Sequence, residues 1–79
     1  MAWRVLEVGG EVWKVSIAAE RRADSDRWEL VLSFRAAGPQ PRSFWKPYPI
    51  VAVSRSVVYT QAERIPDHEL NAILAEHLS

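Results

Sequence analysis

The chain has 79 residues, 48% of them hydrophobic and four of them tryptophan, and its ten basic and ten acidic residues cancel to a net charge of zero. This length allows a single core and the composition excludes the disordered class, while the absence of cysteine excludes disulfide scaffolds, thiol nucleophiles and thiolate zinc sites. With zero net charge the molecule lacks the overall positive potential that attracts nucleic acid. The sequence shows neither a leader pattern nor a long apolar run, so we expect a cytoplasmic protein with no membrane partner.

The first predicted element is a β-hairpin. Residues 3–8 suit a strand, Gly9 and Gly10 suit a two-residue turn because glycine tolerates positive φ, and a returning strand begins at Glu11. With the glycines at the turn centre, Leu6 pairs with Trp13. The side chains on the inward face of this hairpin are then Leu6, Val8, Trp13, Val15 and Ile17.

A third strand is predicted after the polar reversal at residues 23–26, because residues 28–35 alternate apolar and polar with a period of two. Counting across this four-residue loop pairs Ile17 with Leu32, which keeps the apolar faces together. The same register places two pairs of like charges directly opposite each other, Lys14 with Arg35 and Glu20 with Glu29. Such pairs destabilise a sheet, and a slide of two residues would avoid them without inverting a face. The sequence therefore predicts the faces and leaves the register open.

Residues 38–49 are predicted to form a loop rich in proline and aromatic residues, since each proline lacks an N–H donor and restricts the residue before it. Within this loop, residues 43–46 offer a short fourth edge strand. The aromatic side chains Phe44, Trp45 and Tyr48 have two interpretations. They either close the open end of a small core or stack on a ligand.

Two helices are considered in the remainder of the chain. In residues 50–65 the apolar spacing favours a helix from about Ser54 to Arg64, whereas the β-branched run at residues 57–60 favours a strand. We predict the helix. In residues 66–78 a proline suits the first helical turn and four apolar residues share one stripe, which predicts an amphipathic helix lying across the inward face.

These elements together predict an α+β fold in a single domain, 1–79. The sheet, over residues 3–37, is a three- or four-stranded antiparallel β-meander, and the C-terminal amphipathic helix packs on one of its faces. The order is β-β-β-(α)-α.

No pattern in the chain predicts catalysis, a cofactor or a metal. His68 and His77 are nine residues apart, which on a helix separates them by more than about 13 Å, so they cannot share one ion. Asp24 and Asp26 flank a turn, but a calcium loop needs more oxygen ligands at defined spacing. We therefore expect a protein that is not an enzyme.

The outward face of the predicted sheet is more apolar than a solvated face should be. Two structural explanations of this apolar character are that residues 50–65 fold over the face, or that the long aliphatic parts of Lys and Arg side chains shield it. The functional interpretation is a patch for a partner or for self-association. The candidate partner-binding residues, taken from this face and from the aromatic loop, are Trp3, Val5, Val12, Lys14, Val31, Arg35, Trp45 and Tyr48.

The sequence thus predicts a small protein-interaction module that binds a protein partner or forms a homodimer. The alternative is a nucleic-acid-binding domain, because a sheet backed by a helix can enter a groove of a duplex. The cations available for that alternative are Arg4, Lys14, Arg21, Arg22, Arg27, Arg35 and Arg42.

Overall fold

Four antiparallel strands followed by two helices make up the chain in a computed structural model, which describes residues 2–40 and 42–79. The elements are β1 (Arg4–Val8), β2 (Glu11–Arg21), β3 (Trp28–Ala37), β4 (Ser43–Ala52), α1 (Arg55–Ala62) and α2 (Asp67–Leu78). The strands are hydrogen-bonded in chain order, β1-β2-β3-β4. This meander confirms the predicted α+β class, with four strands.

The β1–β2 hairpin has the predicted register, with Leu6 opposite Trp13. Its turn uses the conformational freedom of glycine, because Gly9 and Gly10 have φ angles of 60° and 79°. Two consecutive residues with positive φ give a turn whose twist matches that of the flanking strands. The turn residues therefore fix how these two strands pair.

Strands β2 and β3 adopt the register obtained by counting across the four-residue loop, with Ile17 opposite Leu32. The loop is closed by the Arg22 N–H, which donates to the Arg27 carbonyl at 3.0 Å, and Asp24 takes a left-handed φ of 57°. The two like-charge pairs that favoured a slide are consequently present in the fold, Lys14 with Arg35 and Glu20 with Glu29.

Strand β4 corrects the prediction of a loop over residues 38–49, because the chain is extended and paired with β3 from Ser43 to Ala52. The edge strand considered for residues 43–46 is thus present and is longer than expected. Pro47 pairs with Val31 inside it, and Pro49 lies at a register irregularity. Proline is tolerated here because the outer side of an edge strand needs no donors.

The segment that combined helical spacing with strand propensity forms α1, Arg55–Ala62, within the predicted range Ser54 to Arg64. Ser54 caps it, since its Oγ accepts a hydrogen bond from the Val57 N–H at 3.3 Å. α2, Asp67–Leu78, follows as predicted. Neither helix described is long and apolar enough to cross a membrane.

Both helices pack on the same face of the sheet, which we call the helical face. The buried side chains of α1 and α2 join those of the sheet in one core cluster, whose largest fully buried members are Trp13, Phe34, Leu30, Leu32, Leu70, Leu74, Val15 and Val58. Because α1 and α2 both contribute to this core, they leave the opposite face of the sheet without a helix.

Candidate functional site

The uncovered side of the sheet, which we call the open face, is the candidate site. It consists of the side chains that alternate with the core-facing ones along the four strands. Its residues are Val5, Glu7, Val12, Lys14, Ser16, Ala18, Glu20, Glu29, Val31, Ser33, Arg35, Ala37, Ser43, Trp45, Pro47 and Val51.

The central strands β2 and β3 arrange this face as four cross-strand pairs, which we call rungs. In order along β2 they are the cationic rung (Lys14 and Arg35), the serine rung (Ser16 and Ser33), the apolar rung (Ala18 and Val31) and the acidic rung (Glu20 and Glu29). Strand β4 extends all four of them, because Ser43 pairs with Arg35, Trp45 with Ser33, Pro47 with Val31 and Val51 with Glu29.

The charges of the cationic and acidic rungs are not neutralised by ion pairs within the described chain. The ion pairs found among residues 2–40 and 42–79 are Arg4 with Asp67 and Arg42 with Glu11. Like charges directly opposite each other in a sheet destabilise it by roughly 0.2–1 kcal/mol per pair. The open face therefore carries two unfavourable pairs of opposite sign, separated by two uncharged rungs.

A shallow depression of about 260 Å³ lies over the cationic and serine rungs and is bordered by Ala2. Its walls present an ammonium, a guanidinium and two hydroxyl groups, all of which can donate hydrogen bonds. This end of the open face is suited to negatively charged groups.

Exposed apolar side chains accompany these charges. Trp45 is 69% exposed and Val5 is 60% exposed, the first on β4 and the second on β1. Val31, at 8%, is buried within the face itself. Trp45 is the more informative of the two, because an exposed tryptophan is a frequent anchor of sites that bind another protein.

The structure brings together most of the predicted partner-binding residues. The residues on the open face are Val5, Val12, Lys14, Val31, Arg35 and Trp45. The alternative explanation that residues 50–65 fold over this face is wrong, because α1 buries Val58 and Ala62 in the core on the helical face.

Trp3 is not on the open face, which corrects its expected placement. Its ring packs against the core, and its indole Nε1 donates a hydrogen bond to the Glu63 carboxylate at 3.2 Å. The Arg4 guanidinium lies 4.2 Å from the ring centroid. Since β1 begins at Arg4, the alternation that placed Trp3 outward does not extend to it.

Tyr48 also lies on the helical face, opposite Leu30 in β3, and packs against the core. Its hydroxyl donates a hydrogen bond to the Glu69 carboxylate at the start of α2. This hydrogen bond, burial of the ring and the negative charge of Glu69 raise the pKa of Tyr48 above its ordinary value. Tyr48 therefore ties the edge strand to α2.

The seven cations considered for nucleic-acid binding are distributed over several surfaces. Only the cationic rung is central on the open face. Arg4 binds the Ile65 carbonyl and Asp67 on the helical side, and Arg42 pairs with Glu11. Arg21 donates to the Ser25 carbonyl in the β2–β3 loop at 3.2 Å. Its neighbours Arg22 and Arg27 belong to the same loop end.

A second groove, of about 330 Å³, lies between β4 and the C-terminal end of α2. The ring of Phe44 is stacked between Phe34 and His77, with centroid distances of 4.7 Å and 3.6 Å. Lys46 and Glu76 border the groove with charges of opposite sign. His77 thus packs on an aromatic ring at the end of α2.

The acidic rung belongs to the site, although Glu20 and Glu29 were not among the predicted site residues. The signal that identifies it is the like-charge opposition that the loop length implies. Within the two described stretches, no group of three potential metal ligands occurs. Comparisons with protein-family models, with curated proteins and with solved structures find no match to this chain. The case for function rests on the geometry of the open face.

Proposed function

We propose that this chain is a small protein-interaction module that binds its partner through the open face. The single observation that carries the proposal is a sheet surface that α1 and α2 leave uncovered and that carries an exposed tryptophan and two rungs of unneutralised charge. Tryptophan and arginine are the side chains most enriched among residues that dominate binding energy at protein interfaces.

Trp45 supplies the apolar part of the binding energy. A tryptophan side chain covers roughly 150–250 Å², and burying the exposed part of Trp45 would contribute on the order of 3 kcal/mol. The ring lies on a strand that is hydrogen-bonded to β3, so little conformational freedom is lost on binding. A partner therefore meets a surface that is already organised.

The charged rungs supply the specificity. Each presents two charges of one sign a few ångströms apart, so a partner with complementary charges gains at both positions and a mismatched partner is repelled at both. Charge patterns of this kind discriminate between partners more than they add affinity.

Photo-crosslinking in the cells that express the protein tests this proposal. A photoreactive residue replaces Trp45 on the open face, and a matched control replaces Val57, an exposed apolar residue of α1 that is 39% exposed. We expect covalent adducts with protein from position 45 and few from position 57. Equal adducts from both positions, or none from position 45, would contradict the proposal.

A second candidate, a domain that binds single-stranded nucleic acid, is favoured by one specific observation. The cationic rung, the serine hydroxyls and the exposed ring of Trp45 are adjacent on the sheet, and bases stack on aromatic rings while cations hold phosphates. A titration with single-stranded oligonucleotides at low salt tests it, read by tryptophan fluorescence. Quenching that is lost in the variant Trp45→Ala would support this candidate, and an unchanged signal would exclude it.

A further inference from the structure

We propose that the partner of the open face is a second copy of this chain, bound face to face about a two-fold axis that crosses the strands above the Ile17–Leu32 pair. The inference rests on the proposed function, since it names the partner of that surface. It is carried by the positions of the four rungs, which make the open face complementary to itself.

The charged rungs are placed symmetrically about one point of the sheet. On β2, Lys14 and Glu20 lie three residues before and after Ile17. On β3, Glu29 and Arg35 lie three residues before and after Leu32, which is the partner of Ile17. Residues in a strand rise about 3.3 Å each, so the cationic and acidic rungs are roughly 20 Å apart.

A two-fold axis that lies between the sheets and runs perpendicular to the strands reverses the order of the rungs. The cationic rung of one copy then faces the acidic rung of the other, at both ends of the interface. The serine rung faces the apolar rung at the centre. Strands of the two copies run in nearly opposite directions, which is compatible with the aligned packing that two face-to-face sheets adopt.

The charges also exclude the other face-to-face arrangement. A two-fold axis parallel to the strands would leave the rung order unchanged, so the cationic rung would face the cationic rung and the acidic rung would face the acidic rung. Like charges in contact across an interface cost several kcal/mol. The sequence of rungs therefore selects one geometry.

The same axis gives Trp45 a partner surface. Trp45 extends the serine rung on β4 and Pro47 extends the apolar rung on the same strand. Because the axis superposes these two levels, the indole ring of each copy covers the proline ring of the other. The most exposed aromatic side chain of the open face is buried in the dimer.

The size of the face predicts a reversible dimer. Strands β2, β3 and β4 cross all four rungs. At about 4.8 Å between strands and about 6.7 Å between rungs they give a contact of roughly 400 Å² on each copy, or about 800 Å² in total. Contacts of this size are typical of weak, transient association. Since the charged rungs lie at the ends of the contact, association should weaken as salt screens them.

A charge exchange tests the inference. In one double variant, Lys14→Glu with Arg35→Glu, both charged rungs are acidic, and in the other, Glu20→Lys with Glu29→Arg, both are basic. Each variant keeps two like-charge rungs, so the monomer should remain about as stable as the original chain. Circular dichroism confirms that each variant is folded.

Sedimentation velocity over a range of concentrations measures the association. We expect the unmodified chain to dimerise and to dissociate as salt is added, each double variant alone to be monomeric, and their equimolar mixture to form a mixed dimer. The control is Arg55→Glu with Arg64→Glu, which changes the net charge as much as Lys14→Glu with Arg35→Glu does, but on the helical side. It should dimerise as the unmodified chain does.

Three outcomes would overturn the inference: a chain that is monomeric at every concentration, a dimer that both double variants retain, or a mixture of the two variants that does not associate. The inference would also be overturned if the unmodified chain binds an oligonucleotide and only the variant Lys14→Glu with Arg35→Glu loses this binding. Nucleic acid would then be the occupant of the open face. If crosslinking from position 45 then captures a different protein, the proposed function stands and only the identity of the partner is wrong.

Discussion

The two faces of this sheet are built from the same strands but differ in composition and in exposure to solvent. On the helical face, Trp13, Val15, Leu32 and Phe34 are at most 1% exposed and pack in one core cluster with α1 and α2. On the open face, like charges oppose each other and Trp45 is 69% exposed. The helical face is organised for folding, whereas the open face contains features that folding alone does not favour.

This difference makes the open face the surface to test for function. Natural sequences are locally consistent with their folds, and the exceptions concentrate where a protein does something other than fold. Here the two like-charge pairs and the most exposed aromatic side chain, Trp45, lie on the same side of the sheet. The predictions below test whether the two faces differ in this way, beginning with the largest expected effect.

The first prediction concerns the helical face. Leu32 is completely buried, so Leu32→Ala removes packed methyl groups and should lower the free energy of unfolding by about 2–5 kcal/mol. The neighbouring change Ser33→Ala, on the open face, should alter it by less than about 0.5 kcal/mol. Urea denaturation measures both. Similar losses for the two variants would remove the distinction between the faces.

The second prediction concerns the Tyr48–Glu69 contact at the edge of the helical face. Tyr48→Phe removes this hydrogen bond and should lower the free energy of unfolding by about 0.5–1.5 kcal/mol at neutral pH. Because the pKa of Tyr48 is raised in the folded state, its contribution is complete below the ordinary tyrosine pKa of 10.0 and is lost as pH rises through the higher folded value.

The variant should therefore lose less stability than the unmodified chain when the pH is raised above about 10. Denaturation curves at neutral and alkaline pH measure the two slopes. A parallel decline in both proteins would show that Tyr48 does not hold its proton through Glu69.

The third prediction concerns the cationic rung. Lys14→Glu places a carboxylate opposite Arg35, which converts repulsion into attraction and should raise the free energy of unfolding of the monomer by about 0.2–1 kcal/mol. The same change should weaken dimerisation, because one end of each face loses its complement. If the variant is more stable but associates as well as the unmodified chain, the cationic rung does not contribute to dimerisation.

The features of the fold that sequence predicts are those set by local chemistry. Gly9 and Gly10 supply two positive φ angles, and this turn determines the β1–β2 register. The period of two in β3 identifies which side chains point inward. The sequence leaves the β2–β3 register open, and the structure shows that closure of the loop between Arg22 and Arg27 outweighs the like-charge repulsion that argued against the observed register.

The features that sequence does not predict depend on position within the whole sheet. Pro47 and Pro49 favour a loop by their local chemistry, because neither has a backbone N–H to donate. They lie in an edge strand, whose outer side needs no donors, so the strand still forms. Trp3 illustrates the same limit, because only the start of β1 determines that its ring turns toward Glu63. For the candidate site, sequence identifies the exposed apolar residues, whereas the acidic rung acquires its significance only from the register.

The prolines of β4 also limit how this protein can polymerise. A sheet grows into a fibril when an incoming strand finds a continuous row of amide donors along an edge, and Pro47 and Pro49 interrupt that row on one edge. The opposite edge, β1, is only 5 residues long. Pairing with further strands is therefore interrupted at the β4 edge and limited to a short strand at the β1 edge. A concentrated solution of this protein should stay clear and free of amyloid.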